Sequence, residues 1–274
     1  MPTAKSKSTK QPLKLSWWNG RPNFGDALNP AVVAYAANRE VVHAEKAEAE
    51  MFSVGSIMIR VRRAYSEPRN HRPAIWGTGM MGPIRLGFQD NVDFFAVRGP
   101  LTASLINIKI DTYGDPGLLL PDLCTKKITR GTDIGVIPHH GDFKDPQTKE
   151  VIEKLKAGGN VKIIDPRTED AVQVADEIKS CRHIYSASLH GLIIADAVEV
   201  PNTWVAGRDI HVTPEFKFLD YFLSVGRTYQ RPISYEDIET HEKGTRGLET
   251  LGYAADVEAC KAGLLAAFPD HLKG

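Results

Sequence analysis

The chain predicts an α/β fold built as two doubly wound parallel sheets with a cleft between them. Three observations carry this. Short apolar runs alternate with helical patterns along almost the whole length, the rhythm of parallel strands covered by helices on both faces. The rhythm restarts after a polar, basic stretch, Thr125 to Thr132, which reads as a linker. The length, 274 residues, is comfortable for two cores of ordinary size. The expected division is a tail over 1–12, one half over 13–126, a second over 131–232, and closing helices over 233–274.

In chain order, Leu13 to Trp18 reads as the first strand, followed by a loop through Asn19 to Gly25. Asp26 suits an N-cap, with Pro30 in the first turn of a helix whose body is Ala31 to Ala37. Phe52 to Met58 is a second strand, Ala74 to Trp76 a third, and Asn91 to Val97 a fourth that leads through Arg98-Gly99-Pro100 into a helix from Leu101 to Ile106. In the second half, strands are expected at Ile134 to Ile137, Val161 to Ile164, Arg182 to Ser186 and Thr203 to Ala206. Helices are expected at Gln147 to Ala157, Asp170 to Ser180, Leu189 to Val198 and Glu215 to Ser224. Tyr235 to His241 and Leu248 to Phe268 read as helices that close the chain. Open α/β sheets bind ligands beyond the C-terminal ends of their strands, so two such halves place a site between them.

Composition narrows the function. Lysine plus arginine is 34 and aspartate plus glutamate is 34, a balance that argues against non-specific binding to nucleic acid or an anionic membrane. The three cysteines, Cys124, Cys181 and Cys260, are far apart and lack CxxC spacing, which speaks for a reducing compartment and against a cysteine metal site. The first eleven residues are polar and basic with no apolar stretch behind them, and no run approaches the length that spans a bilayer. A soluble, cytoplasmic protein is the expectation. There is no GxxxxGK[ST], HExxH or GxSxG motif. Gly77-Thr78-Gly79 lets backbone approach a ligand but lacks the third glycine of a dinucleotide fingerprint, and a tight turn explains it as well.

Three side chains stand out as candidates. Arg98, between a strand and a helix start, suits a carboxylate or phosphate, unless it only pairs with Asp93 or Asp115. His190 falls in the first turn of its helix, where the macrodipole favours a neutral imidazole that accepts or relays a proton. Ser186 and Ser188 flank that turn, and Gly191 permits close approach. Asp26 is either a helix cap or a general base at the cleft. His139 and His140 follow the first strand of the second half, so at least one of them can point into the cleft; neighbouring residues on an extended segment point to opposite faces, which argues against both being ligands of one metal.

Taken together, several stretches resemble the polysaccharide pyruvyl transferase family. They are Asn23-Phe24-Gly25-Asp26 with Leu28-Asn29; Gly77-Thr78-Gly79; Val97-Arg98-Gly99-Pro100; Gly114-Asp115-Pro116 with Leu118-Leu119; and Ser186 to Ala197 with Val200-Pro201. Ile137-Pro138-His139 and Leu189 to Ala197 look like the exopolysaccharide (succinoglycan-type) branch. The resemblance implies Rossmann-like halves in a GT-B-like arrangement, phosphoenolpyruvate as donor, no cofactor or metal, and a sugar hydroxyl pair as acceptor, free or lipid-linked. The product would be a cyclic pyruvate ketal. It implies His190 and Asp26 as catalytic residues, and Arg98, Ser186, Ser188, Gly191, Asn23, Gly77, Gly79, His139 and Arg208 as substrate-binding residues. Many relatives carry an arginine where this chain has Ser188. Two rivals share the architecture: a glycosyltransferase using a nucleotide sugar, and a non-catalytic partner in polysaccharide assembly. A lipid-linked acceptor would leave Phe216, Phe218 and Phe222 a membrane contact, against the alternative of core packing.

Overall fold

The computed structural model describes residues 10–131, 133–207, 213, 215–247 and 250–274. The first half runs β1 (Leu13–Leu15), α1 (Phe24–Ala37), β2 (Val41–His43), β3 (Met51–Phe52), α2 (Met58–Ala64), β4 (Ala74–Trp76), β5 (Asp93–Ala96) and α3 (Pro100–Leu105). A 3-10 stretch, Pro116–Leu123, leads to the second half. There follow β6 (Ile134–Ile137), α4 (Pro146–Ala157), β7 (Val161–Ile163), α5 (Ala171–Lys179), β8 (His183–Ser186), α6 (Leu189–Ala197), β9 (Asn202–Trp204), α7 (Phe216–Ser224), α8 (Ile238–Thr245) and α9 (Ala254–Ala266). The sheets are wholly parallel, in the orders β2-β1-β3-β4-β5 and β7-β6-β8-β9. The expected pair of Rossmann-like α/β units is what the chain forms.

Local chemistry corrects three expectations. Asn23, not Asp26, caps α1: its backbone is extended, its side-chain oxygen accepts from the Gly25 amide, and its Nδ2 donates to Asp26 Oδ2 at 2.6 Å. Asp26 therefore lies inside the first turn. Pro30 sits in the helix body and has no N–H for the Asp26 carbonyl; the Asn29 side chain donates to that oxygen instead, at 3.1 Å. The strand expected over Phe52 to Met58 ends at Phe52, because Gly55 turns the chain at φ +100 and Met58 begins α2. The edge strand β2 was not anticipated, since its three residues are half-exposed or exposed and carry no alternating pattern.

One apolar cluster runs through both halves, joining Leu13, Leu15 and Trp76 to Ile137, Ile184 and Ile194. The Pro116–Leu123 stretch packs against both α1 and α6 and forms the seam between the sheets. Helix α9 returns to the first half, where the Trp76 indole donates to the Leu264 carbonyl at 2.9 Å and meets Phe268 edge-on. Helix α7 also reaches back: buried Asp220 accepts from Arg98 Nε at 3.0 Å and from the amide and hydroxyl of Thr102. Phe218 and Phe222 are buried around Trp204, with Phe218 stacked on the indole at 4.4 Å, so core packing accounts for that aromatic pair. Among the described residues, no helix is long and apolar enough to cross a membrane.

Candidate active site

In each sheet the chain departs in opposite directions from a central strand, leaving a crevice at its C-terminal end. In the first sheet that point lies between β1 and β3, and in the second between β6 and β8. The two crevices face one another and merge into a cleft of about 480 Å³. Its walls come from the four loops that this topology singles out: Trp18, Arg21 and Asn23 after β1; Gly55, Ser56 and Ile57 after β3; His139 and His140 after β6; and Ser188, Leu189 and His190 after β8. Helices α2 and α7 add Arg60, Arg63 and Lys217. A backbone bond from the Phe24 amide to the Pro166 carbonyl, 3.0 Å, ties the two rims together.

His190 enters the cleft from the first turn of α6, packed tightly against α1. A Cβ on Gly25 would lie 2.1 Å from His190 Nδ1, so glycine is the residue that lets the imidazole sit there. The other ring nitrogen faces Asp115 Oδ2 across 3.8 Å. That gap is too long for a hydrogen bond, and both atoms are buried without one. Burial, reinforced by Lys217 and Arg98, pushes the His190 pKa down to about 3, so the ring is neutral across the physiological range. Burial rather than the helix dipole is the main cause. Burial likewise raises Asp115 to about 6.

Asp26 projects from the opposite wall. Burial raises its carboxyl to about 6 against the lowering effects of the Asn23 hydrogen bond and of Lys217, Arg60 and Arg21. Lys217 is the reciprocal case: burial and Arg98 lower its ammonium to about 8, with Asp26 pulling the other way. A carboxyl that exchanges its proton near pH 6 thus lies among four cations, in a chain whose overall charge is zero. The Nε of Arg60 is buried with no hydrogen-bond partner, an unused donor at that site.

The remaining expected residues fall into separate groups. Ser188 and Asn23 line the cleft, and so do both His139 and His140, with ring centroids 4.1 Å apart. The opposite-faces rule fails for this pair because β6 has already ended at Ile137. Arg98 stands beneath the cleft, fully buried, donating to Asp220, to Ser56 Oγ and to the Met80 carbonyl. Its partner is Asp220 rather than Asp93 or Asp115, and it bears on the cleft through Ser56 and through its field on His190. Gly77 and Gly79 make room for neighbours, since a Cβ would lie 2.2 Å from Pro116 Cδ and 2.5 Å from Arg98 Cζ respectively. Ser186 Oγ accepts from the Ser188 amide and donates to its carbonyl, closing the turn under α6, while Gly191 gives that hydroxyl space. Arg208 lies outside the described residues. Among the described residues, no cluster of His, Cys, Asp and Glu has the geometry to hold a metal.

Sequence reading missed Lys217, Arg21, Arg60, Arg63 and the orientation of Asp115 toward His190. One signal was present: Met58, Val61 and Ala64 are buried while Arg60 and Arg63 face the cleft, a period of three that marks a helix just beyond the expected strand, where no element was expected. Lys217 carried no such signal, because only the return of α7 to the first half brings it near Asp26.

Comparison with known proteins agrees with this geometry. The model of the family described as polysaccharide pyruvyl transferase matches residues 23–209, which contain most of the cleft wall. The chain is 34% identical over 166 residues to the uncharacterized protein L143 of Acanthamoeba polyphaga mimivirus, covering 57% of this chain and 56% of that protein. It is 28% identical over 223 residues to the succinoglycan biosynthesis protein ExoV of Rhizobium meliloti (strain 1021), covering 78% of this chain and 65% of that protein. The chain thus spans between about half and two thirds of the length of these relatives. With the match extending over most of the chain and over both rims of the cleft, the protein belongs to the polysaccharide pyruvyl transferase family.

Proposed function

We propose that the cleft transfers the enolpyruvyl group of phosphoenolpyruvate to a pair of sugar hydroxyls on an exopolysaccharide or its precursor, forming a pyruvate ketal. The observation that carries this reading is the convergence of Arg21, Arg60, Arg63 and Lys217 on Asp26 and His190. Phosphoenolpyruvate is a small trianion, and a cationic cleft with acid–base groups at its centre suits it. Lys217 and the α2 arginines put positive charge in the cleft that Ser188 does not supply.

The reaction needs little beyond what these residues offer. A proton goes to the methylene carbon of the enol phosphate, leaving an oxocarbenium-like centre at C2. One hydroxyl oxygen attacks that carbon, phosphate departs, and the second hydroxyl closes the ring. Of the two hydroxyl protons, one ends on the new methyl group and the other on phosphate. Asp26 exchanges a proton near neutral pH and takes one from the acceptor. Neutral His190, facing Asp115, relays a proton. The cations hold the phosphate as charge develops on it.

Thermal unfolding tests the donor. Phosphoenolpyruvate should raise the melting temperature, by the equivalent of about 2.7 kcal/mol at a hundredfold excess over its dissociation constant. Nucleotide sugars should not; a shift with them alone would favour the glycosyltransferase rival. Incubation with donor and saccharide should yield the methyl singlet of a ketal by NMR, and His190→Ala should slow its appearance by about 10²–10⁴-fold. Full turnover in that variant would remove His190 from the mechanism, and absence of any ketal would favour the non-catalytic rival.

A further inference from the structure

Beside the main cleft lies a second groove, of about 420 Å³, walled by Trp17, Trp18, Asn19, Ala27, Pro30 and Glu169. The two cavities share Trp18, Arg21, Asn23 and Asp26, so Asp26 stands where they meet. We propose that this groove binds the acceptor, with the terminal pyranose of a saccharide lying against Trp18 and its hydroxyl pair reaching Asp26. The proposal rests on the pyruvyl-transfer reading and names the place and class of its second substrate.

The chemistry of the walls makes the argument. A pyranose has an apolar patch of C–H groups on its face and hydroxyls around its edge. It is therefore recognised by a flat aromatic surface combined with planar hydrogen-bonding groups. The groove has that combination: the half-buried Trp18 indole, the exposed Asn19 amide and the exposed Glu169 carboxylate. Arg21 lies over the Trp18 ring at 5.3 Å and braces it. A side chain at Gly20 would crowd that indole, its Cβ falling 3.0 Å from Trp18 Cζ2. Trp17 is held behind by an edge contact with His43 at 4.5 Å. The opposite flank of the cleft differs. There Ile59, Met80, Met81, Pro83 and Ile84 form an apolar wall with the hydroxyls of Ser56 and Thr213, and no carboxylate or amide side chain lines it among the described residues. A sugar fits the tryptophan side.

Saturation-transfer NMR on the full chain, with phosphoenolpyruvate present, tests the proposal using a panel of methyl hexosides and the disaccharides lactose and cellobiose. At least one should bind through the protons of a single ring face. Trp18→Ala should weaken that binding roughly tenfold or more, equivalent to about 1.4 kcal/mol. Trp18→Phe should retain most of it, and Glu169→Gln, at an exposed position that leaves folding intact, should weaken it several-fold. Glu169→Gln, which lies outside the main cleft, should leave the melting shift caused by phosphoenolpyruvate unaltered. No saccharide binding, or binding indifferent to both Trp18→Ala and Glu169→Gln, overturns the groove while leaving the donor reading in place. Trp18-dependent saccharide binding without any phosphoenolpyruvate shift in the wild type keeps the groove and removes the donor reading.

Discussion

Gly25 leaves no room for a side chain beside His190, and Gly25→Ala tests whether this contact positions the imidazole. The new Cβ would fall 2.1 Å from Nδ1, 2.8 Å from Cγ and 3.0 Å from Cε1. Non-bonded atoms settle at roughly 3.5 Å, so the ring must retreat by more than about 1 Å. Gly25 is buried in the first turn of α1, whose amides are held by Asn23, so the backbone has little freedom to yield instead. Overpacking of this kind costs about 1–3 kcal/mol, offset by about 0.5–1 kcal/mol from replacing glycine by alanine in a helix. The single variant should therefore lose up to about 2.5 kcal/mol in urea unfolding, read from the midpoint at constant slope. Combined with His190→Ala, where the ring is gone, the same change should be neutral or stabilising by up to about 1 kcal/mol. The cycle should yield a coupling of about 1–3 kcal/mol. A misplacement of about 1 Å at a reacting group costs on the order of a hundredfold in rate, so activity should fall much further than stability. An equal effect of Gly25→Ala in both backgrounds would refute the reasoning.

Three further outcomes follow from the same geometry. Asp26 has a folded pKa of about 6 against 3.8 unfolded, so the native state binds the extra proton and stability declines as pH rises through that window. Asp26→Asn should accordingly stabilise the protein by about 1–3 kcal/mol at pH 7–8 and by almost nothing near pH 4, while ketal formation falls; urea midpoints across pH measure this. Lys217 titrates near 8 folded against 10.5 unfolded, so its burial weakens the fold below pH 8 and that penalty fades as pH rises to about 10.5. Lys217→Met should thus be stabilising at pH 7 yet lose most of the melting shift caused by phosphoenolpyruvate; an undiminished shift would place the donor elsewhere. Asp220→Ala leaves the Arg98 guanidinium buried without its counter-charge and should cost about 3–5 kcal/mol in urea unfolding, loosening α7 from the first half.

Most of the fold was legible because its signals are local. Apolar runs of strand length at β4, β6, β7 and β8, and helical patterns at α4, α5, α6 and α7, were readable within a residue or two of the observed bounds. The failures lie where a neighbouring residue takes the expected role, where a distant contact intervenes, or where an element ends sooner than its pattern suggests. Asp26 looks like a cap, yet Asn23 takes that role and frees the Asp26 carboxyl for the cleft. Arg98 looks like an anion site, yet Asp220, far along the chain, neutralises it. His139 and His140 obey strand geometry in the sequence, but their strand has ended and both rings face the same space.

By itself, then, the sequence determined the alternation of strands and helices, the two parallel sheets, and the presence of Asp26, Ser188 and His190 at strand-to-helix turns. Each of these depends on residues within about ten positions of one another, a range over which propensity and periodicity operate. Only the tertiary structure decided which charges share the cleft: Lys217 comes from α7, Arg60 and Arg63 from α2, and Asp115 from the seam between halves. The sequence anticipated a neutral His190 from its helix position but not the protonation of Asp26, Asp115 and Lys217, because burial is the largest cause of all four shifts and exists only once both halves have closed on one another.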